Sequence, residues 1–224
     1  MKTNKIWLEI MPKVVLLMFI IINGIAIFLY PGSTYRNHNT EGYLFTQNFL
    51  SDLGRTYTFS NELNFISSQL FNLSLILAGT IYIFFYFYIQ KLFININKQN
   101  IAIIGSFFGV LGGVALIGVA FTPANLYLEN HILSANWLFR FMFISSLTYT
   151  YLILKHPKLK NIYASGYFLF SIIILLYILI SEFGPSPKDS DFALLLQVVS
   201  QKLILFVFMT SIYIQSLGIK KLNK

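Results

Sequence analysis

The sequence predicts an all-α integral membrane bundle of six helices with both termini on the cytoplasmic side. Three observations lead there. Six continuous apolar runs are each long enough to cross about 30 Å of hydrocarbon as a helix. Hydrophobic residues make up 56% of the 224 and charged residues only 11%, against roughly 45–50% and 25% in a soluble domain. The lysines gather in alternate connections, which sorts the two ends of the bundle by charge. One transmembrane domain, residues 1–224, accounts for the whole chain.

The first run, Val14–Tyr30, follows Lys2, Lys5 and Lys13 and stops at Pro31-Gly32-Ser33. It reads as a retained helix, because no small-residue cleavage site lies near its end and its apolar stretch exceeds that of a leader peptide. The second run is Leu63–Tyr88, and Lys91 through Asn100 separates it from the third, Ile101–Phe121. Gly105, Gly109 and Gly113 recur every fourth residue of the third run. Such a small-residue face lets helix backbones approach closely. Pro123 to Asn130 precedes the fourth run, Ile132–Leu154, and His156-Pro157-Lys158 precedes the fifth, Ile162–Ile180. Gly184-Pro185-Ser186-Pro187 leads to the sixth, Phe192–Leu217, with Ser190 or Asp191 placed to cap it. Helices satisfy their own backbone hydrogen bonds in lipid. A β-barrel needs short alternating strands, which continuous runs cannot supply.

The charges orient the chain. Lys2, Lys5, Lys13, Lys91, Lys98, Lys155, Lys158, Lys160, Lys220, Lys221 and Lys224 fall at one end, where Glu9 is the single acid, while Glu41, Asp52, Glu62, Glu129, Glu182, Asp189 and Asp191 fall at or near the other. The positive-inside rule makes the lysine end cytoplasmic in a multi-pass protein of the cell membrane. The net charge of +8 is accounted for by that distribution, so nucleic acid is not a predicted partner. The chain has no cysteine, which excludes disulfides, thiolate nucleophiles and cysteine metal sites. Nothing in the sequence calls for a cofactor. His38, Asp52, Glu129 and His131 are the available metal ligands on the acidic side, but no HxxxH or HExxH spacing occurs.

One connection is long, Gly32–Asn61. Within it Tyr43, Leu44, Phe45, Phe49, Leu50 and Leu53 form an apolar stripe, which predicts a short interfacial helix lying on the outer face or folded over the bundle mouth. Two cations lie inside spans. Arg140 stands about 13 Å of helical rise beyond His131, and Lys202 about 16 Å beyond Asp191. An unpaired cation at mid-bilayer costs at least about 2.5–3.5 kcal/mol. Both are therefore expected to face the interior, paired with outer acids or with an anionic ligand. Asn72, Glu62 and Gln201 lie at compatible depths. They complete a predicted polar pocket, open outward, for an anionic lipid or small anion. Asp52 and His131 form the alternative, a general acid and base for a membrane-embedded hydrolase or transferase, with Ser51 a possible nucleophile. A third reading is a structural or assembly protein whose charges are ion pairs.

Several of these residues fall in motifs. Ser51-Asp52-Leu53-Gly54, then Gly118-Val119-Ala120-Phe121-Thr122-Pro123 with His131 and Ala135, then Gln201-Lys202, together resemble the membrane family known as domain of unknown function 998. The resemblance implies a six-helix fold and singles out Asp52, His131 and Lys202. It implies no reaction.

Overall fold

The computed structural model describes residues 5–222, so Lys2 and Lys224 lie outside the described residues. Six helices are long and apolar enough to cross a membrane. The first span opens with a π-helical turn, Ile6–Ile10, and continues as α1, Met11–Phe28, with Pro12, which has no N–H to donate, directly after the π-helical turn. α2 is Phe65–Ile89, extended by a 3-10 turn to Ile96 and stopped by Asn97 in the left-handed conformation. α3 is Gln99–Phe121 and α4 is Leu128–Leu154. After a 3-10 turn at Asn161–Ala164, α5 runs Ser165–Phe183, and α6 runs Asp191–Leu222. The Ser190 hydroxyl accepts the Ala193 N–H at 3.1 Å and caps α6.

Polar and apolar faces are inverted relative to a soluble bundle. Phe28 and Phe183 are 87% and 84% exposed, and Leu17, Ile20, Phe121 and Phe206 also point outward. Inside, Asn23, Ser74, Ser106, Ser145, Ser146 and Ser171 are buried. Asn23 on α1 donates to Ser74 on α2 at 3.0 Å, and Ser146 on α4 meets Ser171 on α5 at 2.8 Å. Apolar outer faces with hydroxyls and amides at the helix seams are what a lipid-embedded bundle requires.

The glycine face of α3 packs as its spacing predicts. A Cβ on Gly109 would run into the Tyr86 ring of α2, and one on Gly105 would strike Thr148 of α4. Gly79 and Gly113 face each other so closely that each would push a methyl into the other's carbonyl. α3 is thereby clamped between α2 and α4, its principal neighbours.

The two ends of the bundle are tied by different contacts. At one end the long connection 29–64 reaches the other two connections. Thr56 exchanges hydrogen bonds with Asn125 at 2.9 and 2.8 Å, and Arg36 bonds Asp191 at 2.6 Å and the Lys188 carbonyl at 2.8 Å. At the opposite end Lys98 approaches Tyr151, Phe93 packs on His156 and Lys221 sits over Tyr163. The described lysines of the sequence pattern are at this second end. Arg36, Arg55 and Lys188 are exceptions that accompany the acids.

Candidate functional site

The apolar stripe in the long connection does not become an interfacial helix. Only Leu50–Gly54 winds, as a 3-10 turn, with Asp52, Leu53 and Gly54 buried. Side chains prevent anything longer. The Asn48 amide oxygen accepts the Leu44 N–H at 3.0 Å, and the Asp52 carboxylate accepts the Phe49 N–H at 2.9 Å. The Asp52 bond belongs to a capping box that makes Phe49, in an extended conformation, the N-cap of the 3-10 turn, so no helix runs through Phe49. The Asn48 bond closes a separate turn ahead of it. The segment becomes a strap over the bundle, buried along one edge.

Asn48 is the hub of the strap and is fully buried. Its amide nitrogen donates to the Ser33 carbonyl at 2.9 Å and to Asp52 at 3.2 Å. Its own carbonyl accepts the Lys202 ammonium at 2.6 Å and the Tyr43 hydroxyl at 3.1 Å. Lys202 also lies 4.9 Å from the centre of the Phe45 ring. Its neighbour Gln201 uses its amide oxygen to accept the Leu50 N–H at 2.8 Å. Two consecutive residues of α6 therefore hold the strap by its backbone. Burial pushes the Asp52 carboxyl up to about 6, opposed by the Asn48 bond and the charge of Arg55. Burial likewise raises the Tyr30 and Tyr43 phenols.

Beneath the strap lies an apolar cavity of about 140 Å³, lined from all six helices. Phe19, Leu75, Leu116, Phe139, Ile174 and Phe208 represent the walls. Polar residues join the lining where the strap covers it: Ser51 from the 3-10 turn, His131 from the first turn of α4 and Gln201 from α6. His131 is held by one bond, from Nδ1 to the Thr122 carbonyl at 2.7 Å. A carbonyl only accepts, so in the neutral ring Nδ1 carries the proton and Nε2 is an acceptor.

The remaining predicted site residues are dispersed. Arg140 forms an ion pair with Glu182 in the α4–α5 seam, the two side chains 34% and 39% exposed, and its guanidinium lies 5.9 Å from the Trp137 ring centre. It is not part of the cavity lining. The expected polar pocket containing both Arg140 and Lys202 is therefore replaced by two separate arrangements, each cation with its own partner. Asn72 donates to the Gly54 carbonyl at 3.3 Å and serves the strap. Glu62 is exposed. Asp52 and His131 share no hydrogen bond, because the carboxylate is directed at Asn48 and Phe49 and the imidazole at Thr122. His38 stacks on Phe59 at the surface, and among the described residues no three His, Asp or Glu side chains gather as a metal would need. The residues that sequence reasoning passed over are Asn48 and Thr122. The signal for Asn48 was available in the Asn-x-x-x-Asp spacing. Thr122 contributes only a backbone carbonyl, and no side-chain pattern reveals that.

No family model, curated protein or solved structure matches the chain.

Proposed function

We propose that this chain is a multi-pass protein of the cell membrane, with both termini cytoplasmic and the strap outside, that binds an apolar or amphipathic molecule in the central cavity. The observation that carries this reading is the convergence of all six helices on one apolar space whose polar residues, apart from Tyr82 deep in α2, gather on the strap side. A ligand site of this kind is an apolar enclosure with a few convergent polar groups. A dry cavity of roughly 150 Å³ is enough to hold benzene, so the space suits a small apolar molecule or part of a lipid chain. The lysine-rich end supports the orientation through the positive-inside rule. Ser51, Asp52, His131 and Gln201-Lys202 all belong to the strap and cavity, and their resemblance to domain of unknown function 998 is proposed as the chain's family.

Catalysis has less support. The Asp52 and His131 side chains are committed to different partners, and Ser51 and His131 share the cavity lining without a hydrogen bond between them. The anion-binding reading has neither of its cations in the cavity lining, Lys202 being turned to the Asn48 carbonyl and Arg140 paired with Glu182. Native mass spectrometry of protein extracted in mild detergent tests the binding reading. A co-purifying lipid or apolar adduct is expected in wild type and should be lost in Ala78→Phe and Ala135→Phe, which fill the cavity from two sides. Retention of the same adduct in both variants, folded, would overturn it.

A further inference from the structure

Building on the cavity as a ligand site, we infer that it selects a neutral hydroxyl-bearing head group over a carboxylate or phosphate. The inference stands on which hydrogen-bonding atoms of the three polar residues on the strap side of the lining are already used. His131 has Nδ1 committed to the Thr122 carbonyl, and the Thr122 hydroxyl is itself held on the Gly118 carbonyl at 2.8 Å. The ring is 8% exposed, and its remaining nitrogen, Nε2, is a bare acceptor that calls for an O–H or N–H donor. Gln201 has its amide oxygen committed to the Leu50 N–H, which fixes the amide orientation and leaves its NH₂ as a donor. Ser51 supplies a hydroxyl that both donates and accepts. The polar side of the cavity thus offers one acceptor, one donor and one group of either kind.

That set matches an alcohol, which donates one hydrogen bond and accepts others. It does not match an anion. A carboxylate or phosphate brings only acceptors, so the His131 lone pair would face like with like. Neither intramembrane cation lines the cavity, and Arg55 is turned to the Tyr57 carbonyl at 3.3 Å and the Phe59 ring. Lys202 donates to the Asn48 carbonyl and Arg140 is paired with Glu182. Asp52, buried in the same 3-10 turn as Ser51, adds a further acid near the polar side. Bringing an unpaired anion into such a space carries a desolvation penalty that one amide and one hydroxyl do not offset.

The test uses three probes of one size, benzene, benzyl alcohol and benzoate, on the full chain in lipid nanodiscs at pH 8, above the ordinary imidazole range. Saturation-transfer NMR reads binding, and Ala135→Phe discs measure partition into lipid, which is subtracted. Benzyl alcohol should bind about tenfold more tightly than benzene, the equivalent of one to two net hydrogen bonds, and benzoate should not bind above the Ala135→Phe background. His131→Phe and Gln201→Met, made separately in case one fails to fold, should each shrink the alcohol preference while leaving benzene bound. Equal binding of benzene and benzyl alcohol, or tightest binding of benzoate, would overturn the head-group inference and leave the apolar site standing. Binding of none of the three would overturn both.

Discussion

Two regions of this molecule solve the same problem in opposite ways. Each places a cation well inside a predicted membrane span. Around Lys202 the solution is burial. The ammonium lies in the interior, takes a backbone carbonyl of the strap, and has a carboxylate, two aromatic rings and a buried amide around it. Around Arg140 the solution is a side-chain pair at the α4–α5 seam, with about a third of each side chain exposed. The difference teaches that depth along a helix does not determine a charged residue's role. Lys202 organises a 36-residue connection between α1 and α2, whereas Arg140 neutralises one neighbour.

The sharpest way to break this comparison is Lys202→Met. Removing one partner from a buried charged cluster typically costs about 3–5 kcal/mol. Thermal unfolding in detergent should register a loss of that order, and the strap should become a protease target at 32–61. A loss below about 1 kcal/mol, the range of exposed pairs, would show that the ammonium does not anchor the strap.

Next in size is the pH dependence of the same region. Burial holds the Asp52 carboxyl at about 6 against an ordinary 3.8. Through that window the folded chain keeps a proton that the unfolded chain has already released. The contribution to stability is therefore greatest below the lower value, is lost as the pH rises to the upper one, and is constant beyond it. The span amounts to on the order of 3 kcal/mol. His156, whose ring is lowered by burial, acts in the opposite sense as a buried base, so the informative quantity is wild type minus Asp52→Asn. That difference should fall with rising pH between the two values, and a flat difference would mean the carboxyl titrates normally.

The smallest effect belongs to the other region. Arg140→Glu and Glu182→Arg should each lower stability by about 1 kcal/mol, because Glu182 lies in the last turn of α5, where both side chains reach the polar membrane surface. The double exchange should restore most of the loss in a double-mutant cycle. A single-variant loss as large as that of Lys202→Met would erase the distinction drawn between the two regions.

How much of this was legible in the sequence follows from what kind of pattern each feature leaves. The six spans are continuous apolar runs, and the structure returns all of them with ends moved by a few residues, apart from α1, whose span begins at Ile6 instead of Val14. The α3 glycine face is a one-dimensional repeat, and it packs as a repeat should. The strap failed as a helix because Tyr43 to Leu53 satisfies helical spacing while Phe49, in its middle, is extended and capped by Asp52, which restarts the chain as a separate short turn. Arg140 and Lys202 were correctly read as needing partners. Which partner each found depends on the rotation of α4 and α6 about their axes, and a residue list holds no angular reference between helices. His131 entered the cavity lining because α4 starts at Leu128, a turn before the apolar run begins.

The hydrogen bond from Lys202 to the Asn48 carbonyl joins residues 154 positions apart, and it has a consequence for biogenesis. At synthesis rates of about 5–20 residues per second, some 8–30 s pass between the emergence of the two residues from the ribosome. Near the end of that interval five spans can already be in the membrane while the sixth is not. The strap has then been made without its anchor, Asp52 lacks the nearby ammonium, and the central space has no Gln201 wall. Closure of the strap is therefore an event of the last described helix.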